Sequence, residues 1–341
     1  TSPGTRTIES QNRRRCWSAV SVSRRSSGSR ARIEMRFSCC ASQLTVFKNM
    51  SRLPWIPTTP LVAKSESPIT ASLDEADAVV AAAESAGTKI AVAHQNRYRP
   101  GIRRVKQLVQ DGALGTLRFM NANGKCDRRG GTHDLRVLGT HLLDVLRFIA
   151  GDVVWATGHM QEHGRDVVVG DVYAGPQGLG EMAGNALSGY FVFSSGATAR
   201  FDSYKRESGG GTPWFGFELW GTDAGISVRD GGTAIYHYPA GLHTPANKSL
   251  AWEPIDVPDV RNPDGSPASA SGLLDALNHY ATADVIHCIE NGDEPVSSAR
   301  EATATLEMVM AILEGHRTGS RVPFPMQTRK NPLGLWVNST V

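Results

Sequence analysis

Ser72-Leu73-Asp74-Glu75-Ala76-Asp77-Ala78-Val79-Val80-Ala81-Ala82-Ala83-Glu84-Ser85-Ala86-Gly87-Thr88-Lys89-Ile90-Ala91-Val92-Ala93 is the stretch on which the fold turns. Ser72 with Glu75 has the spacing of a capping box, in which each side chain satisfies a backbone N–H of the first turn. From Leu73 to Ala86 the apolar residues recur at helical intervals, with Val79, Val80 and Ala83 inward. Gly87 is a residue that ends helices, and Lys89–Ala93 then reads as a short buried strand.

The same alternation continues downstream. Pro100 opens a second helix through Val105, Leu108 and Val109, stopped by Gly112, and Leu117–Asn123 reads as the next strand. Helix and strand in alternation predict a parallel sheet. After a helix from about Asp134 to Ala150 the rhythm changes. Six β-rich segments follow: Val153–Gly158, Ser188–Phe193, Ala197–Tyr204, Phe215–Trp220, Gly225–Arg229 and Ala234–Tyr238. These predict a large open, mainly antiparallel sheet with helices on one face. Two helices, near Leu273–Glu290 and Ala299–His316, and a strand at Arg321–Pro325 close the body; the tail after Met326 carries no signal. The expected fold class is α/β: a partial Rossmann-like parallel sheet, then an α+β domain. The expected divisions are 1–58, 59–117, 118–326 and 327–341.

Upstream, residues 1–50 are rich in Arg and Ser, with ten Lys/Arg against two Asp/Glu. No helical or strand period is read there. Three readings fit: disorder, a transit peptide, or a segment that is not authentic coding sequence. The rest of the chain holds 26 basic and 31 acidic residues, so the body is mildly acidic and not an evident nucleic-acid binder. No apolar run is long enough for a membrane span. Five scattered cysteines without a CxxC spacing indicate neither a disulfide framework nor a zinc site, and no metal is expected. The expected location is cytoplasmic, or organellar on the transit-peptide reading.

Three further patterns carry a family resemblance in their order. Ser65-Glu66-Ser67-Pro68-Ile69 precedes the capped helix; Val92-Ala93-His94-Gln95-Asn96-Arg97-Tyr98 leads into the next; Gly139-Thr140-His141-Leu142-Leu143-Asp144 lies in the third. From about Glu66 to Pro325 the chain resembles the Gfo/Idh/MocA oxidoreductases. The resemblance implies an NAD(P)-binding Rossmann domain, with NAD or NADP as cofactor, and a second domain that binds a sugar, a polyol or a related small molecule. It also implies a homo-oligomer through the C-terminal sheet. Its Glu-Lys-Pro turn falls on Glu66, Ser67 and Pro68, and its Gly-x-His-x-x-Asp segment on Gly139–Asp144.

Hydride transfer at a carbinol carbon needs a held cofactor, a proton-exchanging group and polar stabilisation of the alkoxide. The resemblance assigns the chemistry to His141, Asp144 and the Ser67 position. Ser67 departs from the family's Lys: a hydroxyl has no positive charge and a far higher pKa, which argues against conventional turnover. A non-catalytic relative, binding a ligand or serving as an assembly subunit, is the alternative. His141 reads either as an active-site group or as a satisfied histidine beside Leu138, Leu142 and Val145. Asp144, one turn on, either orients the imidazole or solvates the helix. Glu66, Pro68, Asn96 and Arg97 are the expected cofactor contacts; Lys125, Arg128, His141 and Tyr204 are the expected substrate contacts. The glycine-rich phosphate fingerprint does not occur upstream of Glu66, and Gly178-Leu179-Gly180 lacks the following helix it would need.

Overall fold

The computed structural model describes residues 17–26, 31–39, 42–48, 62–65, 67–207, 215–242 and 249–339. The first five strands are β1 (Trp17–Ser26), β2 (Ala31–Cys39), β3 (Ser42–Lys48), β4 (Val62–Ser65) and β5 (Lys89–Val92). They form one sheet in chain order, antiparallel from β1 to β4 and parallel between β4 and β5. Residues 17–26, 31–39 and 42–48 therefore form strands where none is read from the sequence. Ile33, Met35 and Phe37 alternate with Glu34 and Arg36, the two-residue period of a strand. The other residues of the 1–58 segment lie outside the described residues.

Helix α1 (Leu73–Ser85) crosses between β4 and β5, and α2 (Pro100–Gln110) leads to β6 (Leu117–Asn123). The start of α1 differs from the expected capping box. Ser72 Oγ donates to Asp74 Oδ1 (2.5 Å) and makes no cap bond, while Glu75 Oε2 accepts from the Ala71 N–H at 3.1 Å. Asp74 competes for the hydroxyl, and both carboxylates remain favourable near the positive helix end.

The third helical stretch begins at Gly131, earlier than expected, and is not uniform. It runs as α3 (Gly131–Asp134), a π-helical turn over Leu135–Gly139, and α4 (Thr140–Ala150). The last strands are β7 (Val153–Glu162), β8 (Arg165–Asp166), β9 (Tyr173–Ala174), β10 (Glu181–Met182), β11 (Ala186–Phe193), β12 (Thr198–Tyr204), β13 (Gly216–Gly221), β14 (Gly225–Arg229), β15 (Ala234–Tyr238), β16 (Glu253–Pro254) and β17 (Val322–Pro323). Ten of them, counting β6 and β8, make the large sheet, whose path is β16-β15-β14-β13-β6-β12-β11-β7-β17, with β8 beside β7. Every pair is antiparallel except β6 with β12.

One face of this sheet, including Met120, Phe191, Phe201 and Leu219, is buried. Against it lie α3, the π turn and α6 (Ala299–Thr318), while α5 (Leu273–Asn291) packs on the turn after β5. The close fit needs small residues. A Cβ on Gly139 would sit 2.6 Å from Phe201 Cζ, and one on Gly315 of α6 would sit 2.6 Å from the Gly158 nitrogen of β7. The segment before α6 also extends the first sheet: Val92 N–H donates to the Ser297 carbonyl at 2.7 Å, and Ala91 bridges Ser298. This contact brings the start of α6 against the end of β5. The tail, silent in the sequence, forms α7 (Pro332–Asn338), capped by the Asn331 side chain and anchored by buried Leu333.

Candidate active site

Four apolar residues, Ile90–Ala93, end at His94, where the chain leaves the strand for a 3₁₀ turn over Gln95–Tyr98. The turn drives both His94 and Arg97 inward, to 1% and 2% exposure. Asp144, on the facing side of α4, is fully buried between them. Arg97 Nε donates to Asp144 Oδ2 (2.8 Å) and Nη2 to Oδ1 (2.7 Å), a bidentate pair. Thr305 Oγ of α6 donates to the same carboxylate at 3.0 Å. Burial alone would raise the Asp144 carboxyl; His94 and Arg97 outweigh it and hold the group well below the usual carboxylate range. The remaining Arg97 nitrogen, Nη1, bonds the Val296 carbonyl (2.9 Å) and Glu301 Oε2 (2.8 Å), and Arg147 also bonds Glu301 at 2.6 Å. Glu301 is the N3 residue of α6 and does not reach back to cap it; Ser298 Oγ alone accepts the Glu301 N–H.

Two groups stand at the open side of this network. Ser67 Oγ lies 2.8 Å from His94 Nε2. His94 Nδ1 lies 3.0 Å from Asp144 Oδ1, at ion-pair distance but outside hydrogen-bond alignment. The His141 ring approaches His94 edge-on, with centroids 5.5 Å apart. His141 is half-buried, and among the described residues no hydrogen-bond partner meets its nitrogens. Burial first, and the neighbouring His94 second, push its pKa down to about 3, so at neutral pH it is an uncharged imidazole.

The structure thus gathers Ser67, His141 and Asp144 around His94, a residue present in the motif but given no role from sequence. A polar side chain directly after a buried strand was the signal for it. Arg97 has its N–H donors engaged within the protein. Asn96 is half-buried, with Oδ1 accepting from Arg99 Nε at 2.8 Å; Pro68 is buried; Glu66 lies outside the described residues. Lys125, Arg128 and Tyr204 lie near the C-terminal ends of β6 and β12, which pair side by side. Lys125 Nζ is 4.0 Å from Asp127, Arg128 is exposed, and Tyr204 is half-exposed. Buried Asp134 ties that loop down, accepting from Ser203 Oγ at 2.6 Å and the Cys126 N–H at 3.2 Å. Among the described residues no hydrogen bond joins this group to Ser67 or His141.

Residues 102–227, from α2 through the first strands of the large sheet, match the family described as GFO/IDH/MocA C-terminal domain. This region is similar to a GFO/IDH/MocA C-terminal domain. The chain is 26% identical over 271 residues to a D-apiose dehydrogenase of Paraburkholderia graminis, covering 75% of this chain and 65% of that protein. It therefore spans less than two thirds of that relative's length. Among solved structures, levoglucosan dehydrogenase in complex with NADH and L-sorbose is similar at a TM-score of 0.60 and 16% identity, over 76% of this chain and 72% of that one. An oxidoreductase from Agrobacterium radiobacter, in complex with NAD+, L-tartaric acid and magnesium, follows at 0.54 and 20%, over 76% and 72%. At these identities the likeness is one of fold. The matched region carries the Gly139-x-His141 segment and its Asp144, and the first sheet and α6 supply Ser67, His94, Arg97 and Thr305.

Proposed function

We propose that the chain is an NAD(P)-dependent oxidoreductase of the GFO/IDH/MocA type, acting on a hydroxyl carbon of a sugar or polyol. The observation that carries this reading is the convergence of Ser67, His94 and His141 over the buried Asp144–Arg97 pair. It brings a proton-exchanging hydroxyl and an uncharged imidazole to one place. The relatives named for D-apiose, levoglucosan and L-sorbose point to the substrate class.

The residues fit one end of a dinucleotide. At the reacting end, Ser67 and His141 offer polar groups from half-buried positions. At the pyrophosphate end, residues 1–65 hold only Gly4 and Gly28 and no glycine-rich turn. A bound nicotinamide would supply or accept the hydride. The chain's part is to hold the substrate oxygen at His141 and to exchange its proton at Ser67. The proposed divisions are a partial nucleotide-binding domain over 59–117 and a substrate domain over 118–326. The buried free thiols of Cys126 and Cys288 suit a reducing, cytoplasmic setting. No helix among the described residues is long and apolar enough to cross a membrane.

Titration with NADH and NADPH, followed by the reduced cofactor's fluorescence, tests the reading. Saturable binding is expected, with oxidation of an aldose or polyol that His141→Ala abolishes. No binding and no turnover would leave the alternative, a ligand-binding or assembly subunit.

The face of the large sheet left uncovered by the described residues bears on partners. Phe119, Trp220, Tyr238 and Trp252 form a continuous aromatic row there, with ring centroids 5.3 to 6.4 Å apart. Such a row suits a second copy of the chain. Trp220→Glu is expected to shift the protein from dimer to monomer in sedimentation velocity. An unchanged mass would remove this face as the interface.

A further inference from the structure

We propose that Ser67, His94 and Asp144 form a proton relay, in which His94 stores the proton that the substrate exchanges at Ser67 Oγ. The inference rests on the oxidoreductase reading and deepens it.

A serine hydroxyl cannot hold or release a proton at neutral pH unaided, because its pKa is far too high. The structure gives it a partner: His94 Nε2 at 2.8 Å. The protonation pattern follows from what lies on the other side of the ring. Asp144 is ionised, and an ionised carboxylate only accepts hydrogen bonds. Both of its oxygens already receive donors, from Arg97 and Thr305, and His94 Nδ1 stands 3.0 Å from Oδ1. A bare lone pair on Nδ1 would face that negative charge, so Nδ1 carries the proton. In the neutral ring, Nε2 is then the acceptor and Ser67 the donor. The Ser67 oxygen keeps its lone pairs for a substrate hydroxyl.

During alcohol oxidation the substrate O–H proton passes to Ser67 Oγ while the Ser67 proton passes to His94 Nε2. A bound nicotinamide would take the carbinol C–H electron pair as hydride, leaving a carbonyl. His94 ends as an imidazolium beside the Asp144 carboxylate. Reduction runs the same transfers backwards. At 1% exposure His94 has no direct route to solvent, so Ser67 is its outlet. The group order matches a Ser-His-Asp hydrolase. A nucleophilic role is disfavoured, however, because the residue after Ser67 is Pro68, which has no N–H to stabilise an oxyanion. The relay thus occupies the place of the ammonium that Ser67 lacks.

The test uses the full chain labelled with 15N at histidine. NMR is expected to find His94 protonated on Nδ1 and accepting on Nε2. The Nε2 resonance should move in Ser67→Ala and return towards wild type in Ser67→Thr. A His94 protonated on Nε2, or an Nε2 resonance indifferent to Ser67→Ala, would overturn the relay. This arm needs no turnover, so it separates failure of the relay from failure of the oxidoreductase reading. In the cofactor-loaded enzyme, Ser67→Ala should lower kcat by about 100-fold or more with little change in KM, and Ser67→Thr should recover it. Wild-type kcat in Ser67→Ala would overturn the relay as well.

Discussion

Replacing Asp144 with Asn is expected to destabilise the protein by about 3–5 kcal/mol, the cost of leaving one partner of a buried ion pair uncompensated. The reasoning begins with Arg97. Its guanidinium is 2% exposed and makes two of its bonds to Asp144. An Asn side chain keeps the shape and one acceptor oxygen. It also turns an NH₂ group towards the Arg97 guanidinium, which needs an acceptor. Glu301 remains as a second carboxylate on Arg97, but it is partly exposed and shared with Arg147, so it offsets only a fraction of the loss. At about 2–4 °C per kcal/mol, the melting temperature should fall on the order of 10 °C. The sign with pH also follows. The folded-state pKa of Asp144 is held low, so its contribution is present above the unfolded value near 4 and is lost as pH falls towards the folded value. Wild type and Asp144→Asn should therefore converge in stability in strong acid. A thermal scan at neutral pH that shifts by less than about 1 kcal/mol would mean that Glu301 alone neutralises Arg97.

The fold was more legible than the site. Leu117–Asn123, Gly225–Arg229 and Ala234–Tyr238 form strands with the expected bounds, because alternation and flanking turn residues specify a half-buried strand locally. The π turn at Leu135–Gly139 was not visible, since the apolar period runs through it; the approach of Gly139 to Phe201 is a tertiary fact. Helix α7 escaped for a similar reason: seven residues with a central Gly334 have little helical tendency of their own, and burial of Leu333 holds them. Of the residues singled out by motif order, Ser67, His141 and Asp144 come together around His94. Which groups touch was hidden, because Arg97 meets Asp144 and Glu301 across 47 and 204 residues of chain. The resemblance placed Arg97 on the cofactor; in the structure its guanidinium bonds Asp144, Glu301 and the Val296 carbonyl.

Acid is expected to weaken this fold through His141, and His141→Asn to remove that sensitivity. In the folded protein burial and the adjacent His94 depress the His141 pKa to about 3; unfolded, it returns to about 6.5. Below pH 6.5 the unfolded chain binds a proton that the folded chain refuses. The stabilisation is thus complete above that pH and drains away as pH falls towards the folded value. Between pH 6.5 and 4 a fully buried group would lose about 3 kcal/mol at 1.36 kcal/mol per pH unit. Because His141 is half-buried and water screens part of the ring, the expected loss is about 2 kcal/mol. Urea unfolding of wild type and His141→Asn at pH 7 and pH 4 isolates the effect, since groups distant from residue 141 titrate alike in both proteins. Equal acid losses in the two proteins would show that His141 is free to charge in the fold, and would withdraw its role as an uncharged partner for the substrate oxygen. A smaller loss in the variant would support that role. An imidazole that stays neutral through the physiological range can both donate to and accept from a substrate hydroxyl, while Ser67 and His94 exchange its proton.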